Sequence, residues 1–308
     1  MTEPNESNDE TPPADAPAEE RIAAAVRALA SARQRPCLAL VGVDLDRALV
    51  RPLRGSLPDV AGDSLDVVLS SHGGQIDAAY LLARELKRRF ASVTIFVPLC
   101  AKSAATLVCL AADELVLGDL GELGPLDPQR NEHRVEDETV PTSALTSSRT
   151  LSELNECALQ LFGETLERLA RSGRMRPYDA ADRAASFVGR TLAPLYARVD
   201  LVRLAEQSHG VQLSGEYIGR VLRRFRPTLP SEVAQRLACR LVTAYPSHGF
   251  VLDREELAEL GLPHRAPAVE EVAPLDEIAD ALLACGEEVR FCDLVQPPRA
   301  SQPLVSAA

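Results

Sequence analysis

Residues 98–118 read PLCAKSAATLVCLAADELVLG. The apolar run "VTIFVPL" leads into them and has strand character. "SAATLVCLAAD" has the length and composition of a helix, and "ELVLG" of a further strand. Ser103 stands at the junction, where two roles compete. A hydroxyl ahead of a helix commonly accepts a hydrogen bond from a first-turn amide and serves only as a cap. Ser103 is also flanked by Ala101, Ala104 and Ala105, which leave room for a carbonyl to approach. The Ala104 amide would lie at the positive end of the helix dipole, where developing negative charge is favoured.

Working outward, "DVVLS" from Asp66 reads as a buried strand and "SHGG" as a tight turn. "QIDAAYLLARELKRRF" reads as an amphipathic helix with Ile76, Ala79, Leu82 and Leu86 on one face. Strand, helix, strand, helix, strand at this spacing predicts a parallel sheet with right-handed crossovers. Reactive groups in such sheets collect at the carboxyl ends of the strands, where Gly73-Gly74 and Ser103 both fall. The glycine pair allows a sharp turn that leaves amides exposed to hold an oxyanion. Taken alone, the pair reads as a plain strand-to-helix turn.

Taken together, "SSHGG", "VPLCAKSAATLVCLAADELVLG" and "ELGPLDPQ" resemble, in order, the motifs of the serine dehydrogenase proteinase family. That family lies in the Clp-protease/crotonase superfamily, near signal peptide peptidase A. The likeness is strongest over 66–129 and weaker at "YPSHGFVLDREELAELGL". It implies an α/β fold, a Clp/crotonase-like parallel β-α-β spiral core with a mainly helical C-terminal region. It further implies Ser103 as nucleophile, backbone amides of Gly73, Gly74 and Ala104 as an oxyanion hole, and peptide-bond hydrolysis. Two positions depart from the pattern: His72 replaces the proline before the glycine pair, and Ala104-Ala105 replace two glycines while remaining small.

A serine nucleophile needs a base within reach. In signal-peptide-peptidase relatives the base is a lysine, but this chain has only Lys87 and Lys102. Lys102 adjoins Ser103, and neighbouring side chains diverge at a helix start. It is expected to face solvent or a substrate carboxylate, and Lys87 to sit on a solvated helix end. In Clp protease the base is a downstream histidine followed by an aspartate; here the corresponding stretch offers Asp127, with His133 shortly after. His248 in "YPSHGF" and His72 in the turn are further candidates. Asp127 has a plain alternative as a turn cap before proline. The expected site is Ser103, Asp127 and His248 for catalysis, with His72, Gly73, Gly74 and Ala104 binding substrate.

Composition bounds the rest. The 308 residues are 46% hydrophobic and 25% charged, with a formal net charge of -12 and no tryptophan. This excludes broad phosphate-backbone binding and a base-stacking platform, so no nucleic-acid partner is expected. Seven cysteines form no CxxC pair; no metal and no organic cofactor are expected, and a reduced, cytoplasmic compartment fits best. The chain opens without a basic-then-apolar leader, and no integral membrane segment is expected. Residues 1–18 read as a disordered acidic tail, 19–150 as the α/β core, 151–292 as a helical region packed on it, and 293–308 as a flexible tail. A peptide or protein is the expected substrate and a homo-oligomer the expected assembly. The alternatives are a catalytically impaired peptide- or protein-binding descendant of the fold, and a crotonase-type enzyme acting on acyl-CoA thioesters.

Overall fold

The computed structural model describes residue 13 and residues 16–127, 129–133, 139–171, 175–285 and 289–297. It divides into two compact units, Met1–Leu126 with Ser214–Ala308, and Asp127–Leu213.

The first unit is built on a five-stranded sheet. Its strands are β1 (Cys37–Val41), β2 (Ser64–Ser70), β3 (Ser92–Val97), β5 (Glu114–Leu117) and β9 (Phe291–Val295), in the order β5-β3-β2-β1-β9. The first four are parallel, as the alternating pattern requires, and β9 adds antiparallel to β1. β9 has no counterpart among the expected elements. A second, two-stranded parallel sheet joins β4 (Cys100–Ala101) to β6 (Glu122–Leu123). Parallel strands are covered on both faces and so read as continuous apolar runs; every residue of β1 is buried. One face carries α1 (Ala18–Arg33) and α10 (Val269–Ala284), whose Val26, Leu29, Ile278 and Leu282 form a core with Ala39, Val68 and Phe96. The alternate set, Leu40, Leu69 and Ile95, is equally buried. The crossovers α2 (Arg47–Ser56), α3 (Ile76–Arg89) and α4 (Ala104–Cys109) pack in sequence, α2 on α3 and α3 on α4. α2 starts where the Asp46 carboxylate accepts the Leu49 amide at 2.8 Å.

The tail of this unit returns to the sheet. Leu252 exchanges two 3.0 Å backbone hydrogen bonds with Leu123. Arg265 bridges Val116, donating its amide to Leu115 O at 2.9 Å. The apolar run Phe250-Val251-Leu252 reaches the sheet through the Leu123–Leu252 bridge, and α9 (Arg254–Glu259) follows it.

Below the amino ends of the parallel strands lies a partly buried charge network, in which Asp66 and Glu271 are fully enclosed. Arg33 donates to Asp66 (2.8 and 3.3 Å) and to Glu271 (3.0 Å). Arg265 binds Glu271 (2.6 and 2.9 Å) and Glu114 (2.8 and 3.1 Å). It ties α1, α10 and the Arg265 loop to the sheet.

The second unit carries a hairpin of β7 (Gln129–His133) and β8 (Thr139–Ser143), followed by α5 (Ala144–Arg171) and α6 (Pro177–Tyr196). The unit boundary falls within α7 (Leu201–Phe225), and α8 (Ser231–Cys239) follows it in the first unit. Pro194 sits in the last turn of α6 and does not interrupt it. Residues 1–12 and 298–308 of the expected tails lie outside the described residues.

Candidate active site

Ser103 is the residue before α4, with φ 51 and ψ -121, and its side chain makes no cap hydrogen bond. The cap role is thus not taken up. Gln34 is the other non-glycine residue with positive φ among the described residues. Such a backbone costs roughly 1–3 kcal/mol and persists where surrounding structure enforces it, most often at functional sites. Here the enforcement is visible. Lys102 N donates to Ser71 O at 2.9 Å and Ser71 N to Cys100 O at 2.8 Å, which extends β4 along the end of β2. Ala105 N then returns to Lys102 O at 2.9 Å and starts the helix one residue later. Ser103 is left at the corner, half-buried.

The Gly73-Gly74 turn packs against that corner. A Cβ on Gly73 would lie 2.9 Å from Lys102 O, 2.9 Å from Ser103 Cβ and 3.0 Å from Ala104 N. Gly73 has φ 115 and Gly74 φ 139, both in the region that favours glycine. Ser71 fixes the turn: its hydroxyl donates to Val43 O (2.6 Å) and accepts the Gly73 amide (3.0 Å). On the far side Leu45 N donates to Gly73 O and Gln75 N to Leu45 O, each at 2.7 Å. As the first residue of α4, Ala104 has an amide with no intrahelical acceptor.

The other candidates are placed less tightly. His72 is exposed on the turn. His248 is half-buried in the loop between Tyr245 and Phe250, whose rings pack 4.9 Å apart. That loop is anchored to the strand neighbouring β4, through Leu252 on Leu123 and through Leu126 N on Leu241 O at 2.8 Å. Asp127 is buried and belongs to the second unit. The side chain of His133 lies outside the described residues.

Lys102 is not solvent-facing. It is 8% exposed, forms an ion pair with Glu122, and its Nζ donates to Leu123 O at 3.3 Å. Its stem lies along Gly124, so the side chain follows β6. Burial of its aliphatic stem offsets the cost of lowering the ammonium into the protein. Lys87 is likewise paired, with Asp113 at 2.5 Å. Replacing Lys102 with methionine is expected to cost about 1–3 kcal/mol in a denaturant titration, because Glu122 loses its partner.

Thr106 went unremarked in the sequence because it sits within an apolar helical run. Its hydroxyl lies 2.7 Å from Ala101 O and 2.8 Å from Gly124 O, and it accepts the Gly124 amide at 3.3 Å. It fastens α4 to β4 and to the "ELGPLDPQ" loop. A buried threonine within an otherwise apolar motif is the one sequence signal of this role. Thr106→Val keeps the shape but strands these partners, and is expected to lower stability by about 1–3 kcal/mol in the same titration.

The first unit is therefore a parallel α/β core in which a glycine-pair turn is packed on a strained serine ahead of a helix. Residues 35–137 match the model of the ClpP-like SDH-type serine proteinase family. This stretch contains the motifs on which the resemblance rests, and the resemblance to that family is borne out. Over 98 residues the chain is 30% identical to the uncharacterized protein MJ0137 of Methanocaldococcus jannaschii, covering 32% of this chain and 33% of that one. Over 94 residues it is 29% identical to MJ1495 of the same organism, covering 30% and 31%. The matched stretch thus spans about a third of the length of each of these curated relatives. Among solved structures, the chain is similar to a mutant of the 1510-N membrane-bound stomatin-specific protease. That match has a TM-score of 0.42 and 10% identity, over 78% of this chain and 83% of that one. A mutant of ClpP1 from Listeria monocytogenes matches with a TM-score of 0.26 and 16% identity, over 30% and 56%. No helix among the described residues is long and apolar enough to cross a membrane.

Proposed function

We propose that the protein is a serine peptidase in which Ser103 attacks a peptide carbonyl. The observation that carries this is the contact of the Gly73-Gly74 turn with a serine held at positive φ. Attack converts the carbonyl to a tetrahedral oxyanion, which needs donors already in place. The Ala104 amide supplies one, aided by the start of α4. Gly73 N–H is spent on Ser71, so the adjoining Gly74 amide is the better second donor. His248 is assigned as general base, with His72 contacting the substrate backbone. The family match supports the reaction class, and the anchoring of the 245–252 loop to β6 supports His248.

Gly73→Ala tests this directly. Its methyl group would press on Ser103 Cβ and on the Ala104 amide. Cleavage of a peptide library is expected to fall about 10²–10³-fold, as when an oxyanion donor is lost. Activity within a few-fold of wild type would contradict the proposal.

A second reading is favoured by one observation: Lys87 and Lys102 are both committed to carboxylates. The chain would then be a non-catalytic peptide- or protein-binding descendant of the fold. Saturable peptide binding with no Ser103-dependent turnover would establish it.

The proposal extends to a homo-oligomer. Leu159, Tyr178, Phe187 and Leu201 in the second unit are exposed by 73%, 84%, 51% and 72%, apolar surface that a subunit contact would cover. Light scattering giving a monomer mass would contradict it. A reducing, cytoplasmic setting is part of the same proposal, and fits the buried thiols of Cys37, Cys100 and Cys109.

A further inference from the structure

α2 and α3 start at the same place. α2 follows Leu45, which is bridged to Gly74, and α3 begins at Ile76 just beyond that turn. At this end Arg47 grips Asp77 through two hydrogen bonds of 3.0 and 2.6 Å. One helical stretch further on, Arg54 and Glu85 line the same cavity. The two helices therefore run side by side away from the candidate oxyanion turn, with a groove between them.

The groove has an apolar floor and a cationic rim. A cavity of about 230 Å³ is floored by Val50 and Leu81 and rimmed by Arg47, Arg51, Arg54 and Arg84. It continues into a second cavity of about 170 Å³ that shares Arg54 and Glu85 and adds Arg88 and Arg89. Two carboxylates answer these six arginines. Asp77 takes Arg47, and Glu85 takes Arg84 at 3.0 Å and Arg88 at 2.8 Å. Burial pushes the Glu85 carboxyl up, but those arginines outweigh it and hold it below the ordinary carboxylate range. Six cations against two anions leave an excess of four positive charges, in a chain whose formal net charge is -12.

We propose that this groove is an acidic subsite: it seats the part of the substrate peptide flanking the scissile bond, and selects segments with two or more Asp or Glu side chains around an apolar residue. The inference rests on the serine-peptidase reading and names its substrate class. A chain lying across the Gly74 turn enters the groove at Arg47 without leaving the surface. Guanidinium forks then meet successive carboxylates bidentately, while an apolar side chain between them covers Val50 and Leu81. The negative field of the rest of the protein opposes acidic chains at long range, so the selection is local and weakens as salt screens the exposed pairs.

The test is fluorescence anisotropy with full-length Ser103→Ala protein, which binds without turnover. Two labelled peptides are used, identical except that Asp and Glu in one are Asn and Gln in the other. The acidic peptide is expected to bind about tenfold or more tightly, with the difference shrinking as salt rises. Arg51→Glu with Arg54→Glu is expected to remove the preference. Arg223→Glu with Arg224→Glu, the same charge change on exposed positions of α7, is expected to retain it; thermal melting confirms that both variants are folded. Equal binding of the two peptides, or equal loss in both double variants, overturns the proposal. Because binding is read without the serine, failure of Ser103 chemistry and failure of the acidic subsite give different results.

Discussion

Ser103→Ala is expected to abolish peptide cleavage, by on the order of 10⁴-fold or more, while leaving the fold intact. The hydroxyl makes no cap hydrogen bond, so its removal strands no first-turn amide. Stability should therefore change little, in contrast to the loss of about 1 kcal/mol typical when a true cap is deleted. Ser103→Gly sharpens the test. Glycine tolerates φ 51, which alanine does not. The glycine variant should be as inactive as the alanine variant but more stable than it, by about 1 kcal/mol or more, as backbone strain is released. An inactive variant gaining stability is the signature of a residue held in strain for function. If both variants lose stability equally, Ser103 is a structural corner and nothing more.

Glu271→Ala is expected to destabilise the protein by about 3–5 kcal/mol, measured as a lower denaturant midpoint at unchanged slope. Its side chain is fully buried and bound by both Arg33 and Arg265. Removing it takes one carboxylate partner from each of two guanidinium groups, leaving Arg33 on Asp66 and Arg265 on Glu114. Burial pushes the Glu271 carboxyl up, yet Arg265, the Ala268 amide and Arg33 together hold it below the ordinary range. Glu114 is held down by Arg265 against the effect of burial. With folded values depressed, both carboxyls contribute their full stabilisation above the unfolded pKa of about 4.3. That contribution is lost as pH falls through the folded values. Wild type should lose stability steeply in that acid window, and Glu271→Gln should be less stable at neutral pH but flatter on its acid side.

The contrast between these two predictions shows where the sequence was informative. The strands and helices from Asp66 to Leu117 follow from apolar period and length, since a doubly covered parallel sheet leaves long apolar runs. Gly73 and Ser103 stand 30 residues apart, and their meeting follows from a single right-handed crossover. The acid–base network is different. Arg33, Asp66, Glu114, Arg265 and Glu271 each look like ordinary surface charges, and only folding brings together residues 238 positions apart. Lys102 misled for a related reason: a lysine beside a serine gives no sign that its stem will lie along Gly124 and its ammonium on Glu122. β9 was hidden because five residues beside a proline-rich end carry too little pattern to mark a strand, and pairing with β1 supplies what the pattern lacks. The arginines of α2 and α3 read separately as solvated helix faces; their convergence depends on the packing of the two helices.

The central claim is that Ser103 is a nucleophile. Intact-mass spectrometry after exposure to a fluorophosphonate tests it most directly, because the probe forms a covalent phosphonyl ester only with an activated hydroxyl. Wild type is expected to gain one adduct, mapped by peptide fragmentation to Ser103, and Ser103→Ala none. An adduct on another residue, or equal labelling of both proteins, would contradict the account.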